Sequence, residues 1–137
     1  MKRLSILFGT LLIIGCSPKS GIKKGTFEIY EKDSLVGKIY RLESYQIEKY
    51  PNGNELIAKI EYETDSTYYL SGIEKKKTKV DSIIWLNRYW KIGNNKFKIV
   101  AVASNIKLDY KYEATLLKVN EEIEKEYLSR LKILNEN

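Results

Sequence analysis

Alternating apolar and polar positions dominate the chain from residue 25 to 118. The clearest alternation begins at Leu56, where Leu56, Ala58, Ile60 and Tyr62 stand opposite Lys59, Glu61 and Glu63. Successive side chains of a strand point to opposite faces, so this pattern predicts strands with one buried face. Turn residues recur about every 8 to 12 residues, which predicts about seven or eight antiparallel strands in a meander. The expected fold is mainly β, a small barrel or sandwich.

Individual strands are predicted over 26–31, 37–50, 56–63 and 67–73, with the Asn52-Gly53 pair favouring a tight hairpin. Residues 80–92 fit either a doubly buried strand or a helical turn followed by a strand. A strand from Phe97 to Ala103 is apolar on both faces, and the last and longest strand is predicted over 107–116.

A helix is predicted at the end of the chain, over about 121–134. Ile123, Tyr127, Leu131 and Leu134 recur at three- and four-residue spacing, and Asn120 is the expected N-cap. The apolar stripe is expected to pack against the sheet, because most amphipathic helices cover their own core. Binding of a partner protein is the alternative.

The first residues have the three parts of a secretory signal: two cations, a short apolar run and a small residue before a cleavage point. The run is shorter than the roughly 20 residues that span a bilayer. Its ending, Leu12-Ile13-Ile14-Gly15-Cys16, resembles a lipobox, which implies cleavage between Gly15 and Cys16 and a diacylglyceryl group on the Cys16 thiol. The alternative is an ordinary signal peptide with an incidental thiol, but Cys16 is the only cysteine.

This resemblance divides the chain into a signal peptide (1–15), a lipidated cysteine with a flexible tether (16–24) and one β-domain (25–137). Ser17 follows the cysteine, and no acidic residue occurs before Glu28. In lipoproteins of this type, that pattern implies the outer membrane with the protein facing the periplasm, and surface display stays open.

Net charge at first suggests an acidic partner, since the chain carries +6 with a pI near 9.2. Five of the 24 cations lie within the first 24 residues, however, and the remaining chain carries a net charge of +1. No nucleic-acid partner is therefore expected. The run Lys75 to Lys79 is expected to be a solvated hairpin tip.

Composition excludes several classes of catalysis. The chain has no histidine, and the lipid that the lipobox resemblance implies would occupy its one thiol, so Ser-His-Asp and Cys-His catalysis and zinc sites of His or Cys are not expected. No cofactor or metal is expected. Glu61, Glu63 and Asp65 share one face of a strand whose other face is apolar, so we expect these carboxylates to point to solvent. A hydrolase that uses carboxylates alone is the weakest hypothesis.

Aromatic side chains are the remaining candidates for binding. Trp85, Tyr89 and Trp90 are candidate contacts for a ligand or partner, although core packing is the favoured interpretation. Inward tyrosines at four positions are expected either to line a small cavity or to fill it: Tyr62, Tyr68, Tyr110 and Tyr112.

Five short motifs carry a resemblance to a known family: Gly25-Thr26-Phe27, Gln46-Ile47-Glu48, Asp65 to Leu70, Lys96 to Ile99, and Tyr110-Lys111-Tyr112. With them the chain resembles small lipoproteins from Bacteroidetes-type bacteria, although Tyr62 and Ser66 replace the tryptophan and cysteine of a frequent Trp-x-x-Asp-Cys motif. The resemblance implies a lipocalin-like barrel or sandwich and no assigned activity.

The expected function is that of a membrane-anchored, non-enzymatic envelope lipoprotein whose β-domain binds a protein partner or a small ligand. The alternative is an inhibitor or immunity-type lipoprotein, which would present a loop such as Glu74 to Lys79 to a target enzyme or toxin.

Overall fold

A computed structural model describes residues 21–74 and 82–137. Its elements are, in order, β1 (Lys24–Glu31), β2 (Ser34–Leu42), β3 (Tyr45–Lys49), β4 (Glu55–Thr64), β5 (Thr67–Gly72), β6 (Trp85–Gly93), β7 (Lys96–Ala103), β8 (Lys111–Asn120) and α1 (Lys125–Glu136). The predicted signal peptide, the Gly15-Cys16 cleavage site with its lipid and the Lys75 to Lys79 hairpin tip lie outside the described residues.

The eight strands form a closed barrel in which each strand pairs antiparallel with the next, and β1 pairs with β8 to complete the ring. The predicted antiparallel meander is therefore confirmed, and its closed form with one C-terminal helix is lipocalin-like. The β1–β2, β3–β4 and β7–β8 connections lie at one end of the barrel, together with the end of β5 and the start of β6, and we call this the open end. The other three connections and residues 21–23 lie at the opposite, closed end.

Two strand predictions were wrong in their bounds. The predicted strand over 37–50 is interrupted at Glu43, which adopts a positive φ of 53°, and this turn separates β2 from β3. The last strand was predicted from residue 107 but begins at Lys111, because residues 107–110 lie at the open end without a paired strand. Residues 80–92 fitted either a doubly buried strand or a helical turn followed by a strand. The observed strand in this segment, β6, begins at Trp85.

Strand β3 turns its apolar face outward. Gln46 and Glu48 point into the barrel, whereas Ile47 points out and is nevertheless completely buried. Burial of Ile47 is possible because α1 packs on this outer face, where it contacts β2 and β3.

The helix occupies Lys125–Glu136 rather than the predicted 121–134. Asn120 does not cap it, because its Oδ1 accepts a hydrogen bond from the Glu122 amide (3.0 Å) in the turn before the helix. The predicted apolar stripe is confirmed: Tyr127 and Leu131 are buried against the barrel wall. No helix in residues 21–74 or 82–137 combines the length and the apolar character needed to span a membrane.

The predicted tether was too long, because residues 21–24 belong to the fold. Ile22 is only 3% exposed and packs in the barrel core, and the Gly21 carbonyl accepts a hydrogen bond from Lys118 Nζ (2.9 Å). The apolar residues of the core inside the barrel and of the cluster beneath α1 all lie between Ile22 and Leu134. Both apolar cores of the described structure thus lie within residues 21–137.

Candidate functional site

The barrel encloses a cavity of about 310 Å³ at its open end. Leu56 and Tyr110 line it and are 36% and 52% exposed, so the cavity reaches solvent there. The lining residues come from all eight strands and from the β3–β4 and β7–β8 connections: Ile29, Ile39, Arg41, Gln46, Glu48, Tyr50, Leu56, Tyr68, Leu70, Trp85, Asn87, Ile99, Ala101, Tyr110, Tyr112, Ala114 and Leu116.

Packed side chains fill the closed end and form the floor of the cavity. Phe27 has no exposed surface, and Ile22 closes the barrel beneath it. The Arg41 guanidinium, also without exposed surface, lies 5.6 Å from the Phe27 ring centroid and 5.0 Å from that of Tyr68. Both distances fall within the range of cation–π attraction, which partly offsets the loss of water around the buried charge.

Arg41 begins a chain of hydrogen bonds along one wall. Its Nε and Nη2 both donate to Gln46 Oε1 (2.9 and 2.5 Å), Nη1 donates to the Ile22 carbonyl (3.0 Å), and Nη2 also donates to the Tyr68 hydroxyl (3.3 Å). Because arginine is only a donor, it fixes the orientation of the Gln46 amide. Gln46 Nε2 therefore faces Glu48 and donates to its Oε1 (2.6 Å).

Glu48 continues this chain to the mouth of the cavity. It is 7% exposed, and its Oε2 accepts a hydrogen bond from the Tyr50 hydroxyl. Burial raises the pKa of Tyr50, and the negative charge of Glu48 and this hydrogen bond raise it further, so the hydroxyl keeps its proton. The four side chains Arg41, Gln46, Glu48 and Tyr50 form what we call the polar ladder, in which Gln46 bridges a buried cation and a buried anion.

A second carboxylate lies at the mouth beside the polar ladder. Tyr112 lines the cavity, and its hydroxyl donates a hydrogen bond to Glu31 Oε1 (2.6 Å). Burial raises the pKa of Tyr112, and the hydrogen bond to Glu31 and the charges of Glu31 and Glu48 add to this effect. At the open end, two carboxylates thus each accept a hydrogen bond from a tyrosine hydroxyl.

Apolar side chains form most of the remaining surface of the cavity and its rim. Isoleucine, leucine and alanine side chains from six strands line the interior. At the open end, six large apolar side chains are more than a third exposed: Leu35, Leu56, Ile73, Ile106, Leu108 and Tyr110. We call these six the apolar rim.

The three predicted contact residues do not form one site. Trp85 lines the cavity, and its ring centroid lies 6.2 Å from that of Tyr110. Tyr89 packs 5.8 Å from Tyr68 and donates to the Asp65 carbonyl (2.6 Å) at the closed end. Trp90 lies on the outer face and is 45% exposed.

Three of the four predicted inward tyrosines, Tyr68, Tyr110 and Tyr112, line the cavity. Tyr62 instead packs against Tyr68, with 5.8 Å between their ring centroids. Sequence reasoning missed the polar ladder. Its signal was the alternation of Gln46 and Glu48 with Ile47, but that alternation does not say which face points inward.

The predicted solvent-facing carboxylates are confirmed. The Glu61 side chain is 65% exposed and pairs with Lys59 (3.3 Å), while Glu63 accepts a hydrogen bond from Tyr69 (3.2 Å) on the outer surface. Asp65 is exposed in the β4–β5 turn. Among residues 21–74 and 82–137, no group of three or more His, Cys, Asp or Glu side chains is arranged to hold a metal ion.

Comparison with protein-family models, with curated proteins and with solved structures gives no match to this chain.

Proposed function

We propose that this protein is a lipid-anchored binding protein of the bacterial cell envelope, which holds a small, largely apolar ligand inside its barrel. The observation that carries the proposal is the cavity of about 310 Å³, open at one end and closed at the other. Small-molecule sites occupy roughly 300–1,000 Å³, with apolar walls and a few fixed polar groups, and they occur in the mouths of barrels.

The interior supplies both parts of such a site. Apolar side chains such as Ile29, Ile99 and Leu116 would bury the body of the ligand. The polar ladder crosses this apolar surface on one side only, and its hydrogen bonds hold Glu48 in place before a ligand arrives. Groups fixed in advance add affinity, because less conformational freedom is lost on binding.

The apolar rim supports entry at the open end. Exposed apolar side chains grouped around a cavity are typical of ligand-binding mouths and of interaction surfaces. Leu56 and Tyr110 belong both to this rim and to the cavity lining. An apolar ligand would therefore meet a continuous apolar path from solvent to the interior.

The proposed anchor fits this arrangement of ends. Gly21 lies at the closed end, where its carbonyl contacts Lys118. Four residues separate Cys16 from Gly21, and a chain spans at most about 3.6 Å per residue. A lipid on Cys16 would thus keep the closed end near the bilayer and leave the open end accessible from the aqueous side.

Binding is tested with a neutral fluorescent probe, phenylnaphthylamine, titrated into residues 21–137. Trp85 lines the cavity and Trp90 lies outside, so energy transfer from tryptophan to the bound probe should fall much more in Trp85→Phe than in Trp90→Phe. Ala101→Phe should block the interior, whereas Val102→Phe on the outer face of the same strand should not. Saturable binding that survives Ala101→Phe in a folded protein would place the site elsewhere.

Anchoring is tested separately on the full chain in bacterial cells. We expect mass spectrometry of the membrane fraction to find a mature N-terminus at Cys16 that carries a diacylglyceryl group. Cys16→Ser should abolish both the lipid and cleavage before residue 16, while the neighbouring Ser17→Ala should leave them unchanged. A mature protein that begins at any other residue would contradict the proposed anchor.

A further inference from the structure

We propose that the cavity selects amphiphiles with a positively charged, hydrogen-bond-donating head group, such as a primary alkylamine, and that Glu48 is the counter-charge for that group. This inference rests on the proposed function and specifies the chemistry of its ligand. The occupant would place its apolar body between the isoleucine and leucine side chains and its cation at the polar ladder.

The polar groups around the upper cavity leave hydrogen-bond acceptors for a ligand. Glu48 accepts one hydrogen bond from Gln46 and one from Tyr50, whereas an ionised carboxylate has about four acceptor positions. Tyr50 and Tyr112 donate their hydroxyl protons to Glu48 and Glu31. Both tyrosines line the cavity, and a hydroxyl that donates its proton keeps oxygen lone pairs that can accept a hydrogen bond from a donor-rich head group.

The buried cation, in contrast, is already engaged. Arg41 directs its three nitrogen atoms at Gln46, the Ile22 carbonyl and the Tyr68 hydroxyl, and the residue has no exposed surface. An anionic ligand would have to break these hydrogen bonds to pair with Arg41. It would also bring its charge next to Glu48, and like charges in a desolvated site repel each other strongly.

The size of the cavity limits the apolar part to a small molecule. Its volume of about 310 Å³ lies at the lower end of the range for small-molecule sites. A short alkyl chain suits this space, and octylamine, octanol and octanoate share such a chain while their head groups are positive, neutral and negative near neutral pH.

The experiment measures the affinities of octylamine, octanol and octanoate for residues 21–137 by displacement of phenylnaphthylamine, below the concentrations at which they form micelles. We expect octylamine to bind most tightly, octanol less tightly and octanoate at least about tenfold more weakly than octylamine. This comparison uses the unaltered protein, so it does not depend on how a variant folds.

Two variants locate the source of the preference. Glu48→Gln keeps the side-chain length and an acceptor oxygen but removes the charge, so octylamine affinity should fall to about that of octanol. Glu113→Gln removes the same charge from the outer wall, where Glu113 pairs with Lys98 and Lys111, and should leave the preference for octylamine unchanged.

The outcomes separate this inference from the proposed function. Octanoate binding as tightly as octylamine would overturn the preference for a cation and leave ligand binding in the barrel intact. Loss of the preference in Glu113→Gln but not in Glu48→Gln would overturn the role of Glu48. If neither phenylnaphthylamine nor any of the three amphiphiles binds, the proposed function itself fails.

Discussion

At the scale of single residues, Arg41 determines how the interior of the barrel is organised. A buried arginine is costly to remove from water, and here four hydrogen bonds and two aromatic rings compensate that cost. Arg41 also joins the N-terminal segment to the core, because one of its hydrogen bonds ends on the Ile22 carbonyl. The same side chain thus holds the N-terminal segment at the closed end of the barrel and orients Gln46, the next member of the polar ladder.

Replacing Arg41 by methionine should lower the free energy of unfolding by about 3–5 kcal/mol, because Glu48 would keep a buried charge without its cation and Gln46 would lose its donors. Arg130→Met is the matched control. Arg130 donates to Glu55 at 2.7 Å, but its side chain is 34% exposed, so we expect a loss below about 1 kcal/mol. Urea unfolding measures both changes, and equal losses would contradict the structural role of Arg41.

Gly25 is the second residue for which the structure predicts a specific cost. Its φ is +130°, and a Cβ there would lie 2.6 Å from the Asn120 carbonyl oxygen and 2.6 Å from the Lys118 side chain. Gly25→Ala should therefore cost about 1–2 kcal/mol for the backbone and about 1–3 kcal/mol more for the overlap.

Gly53 provides the comparison for Gly25, because its φ is +86° but no atom lies within 4 Å of a built Cβ. Gly53→Ala should show only the backbone cost of about 1–2 kcal/mol. Thermal unfolding of both variants separates strain of the backbone from steric overlap. A greater loss in Gly53→Ala than in Gly25→Ala would argue against the close approach of β1 to β8.

At the scale of elements, β3 and α1 depend on each other. The outward Ile47 and Tyr40 would be exposed on a bare barrel, but α1 covers them, and Tyr40 stacks on Tyr127 with 3.8 Å between the ring centroids. The helix in turn buries Leu131 completely on this surface. Coverage from outside is what allows β3 to turn its polar side chains inward.

Leu131→Ala should lower the free energy of unfolding by about 2–5 kcal/mol, since it leaves a cavity between α1 and the barrel wall. Ile133→Ala, two residues along the same helix, should change it by less than about 0.5 kcal/mol, because Ile133 is 60% exposed. Denaturant unfolding followed by circular dichroism gives both values. Similar losses in the two variants would mean that the helix does not pack as described.

At the scale of the whole molecule, buried tyrosines should make the fold sensitive to alkaline pH. Burial, with the charge of Glu124 as the next cause, raises the pKa of Tyr40 from 10 to about 12. A raised pKa means that the folded state holds the proton more tightly than the unfolded state. The resulting stabilisation is fully present below pH 10 and is lost as the pH rises towards 12.

Stability to urea should accordingly be constant near neutral pH and fall between about pH 10 and pH 12. Absorbance of tyrosinate should show a group of tyrosines that ionise only as the protein unfolds. Tyr40→Phe keeps the ring stack and removes the titrating hydroxyl, so its stability should fall less steeply over this range. Ionisation of every tyrosine near its ordinary pKa in the folded protein would contradict this prediction.

Much of the barrel could be predicted because alternation and turn residues are local properties. The period of two in β4, the Asn52-Gly53 hairpin and the apolar stripe of α1 each depend on neighbours within a few residues, and all three are present in the structure. Local patterns were less informative about strand ends and about burial where these depend on other elements of the fold. The start of β8 at Lys111 and the place of Ile22 in the core depend on strand pairing and on packing against distant residues.

Sequence by itself thus determined the β-meander, the C-terminal amphipathic helix and a nearly neutral domain that follows a lipobox-like segment. Only the tertiary structure decided that the barrel closes, that it keeps an open cavity, and that Gln46 and Glu48 face that cavity. Alternation shows that the two faces of a strand differ, but it does not show which face points inward. That choice depends on α1, which covers Ile47 from a position far along the chain and leaves the polar face of β3 for the interior.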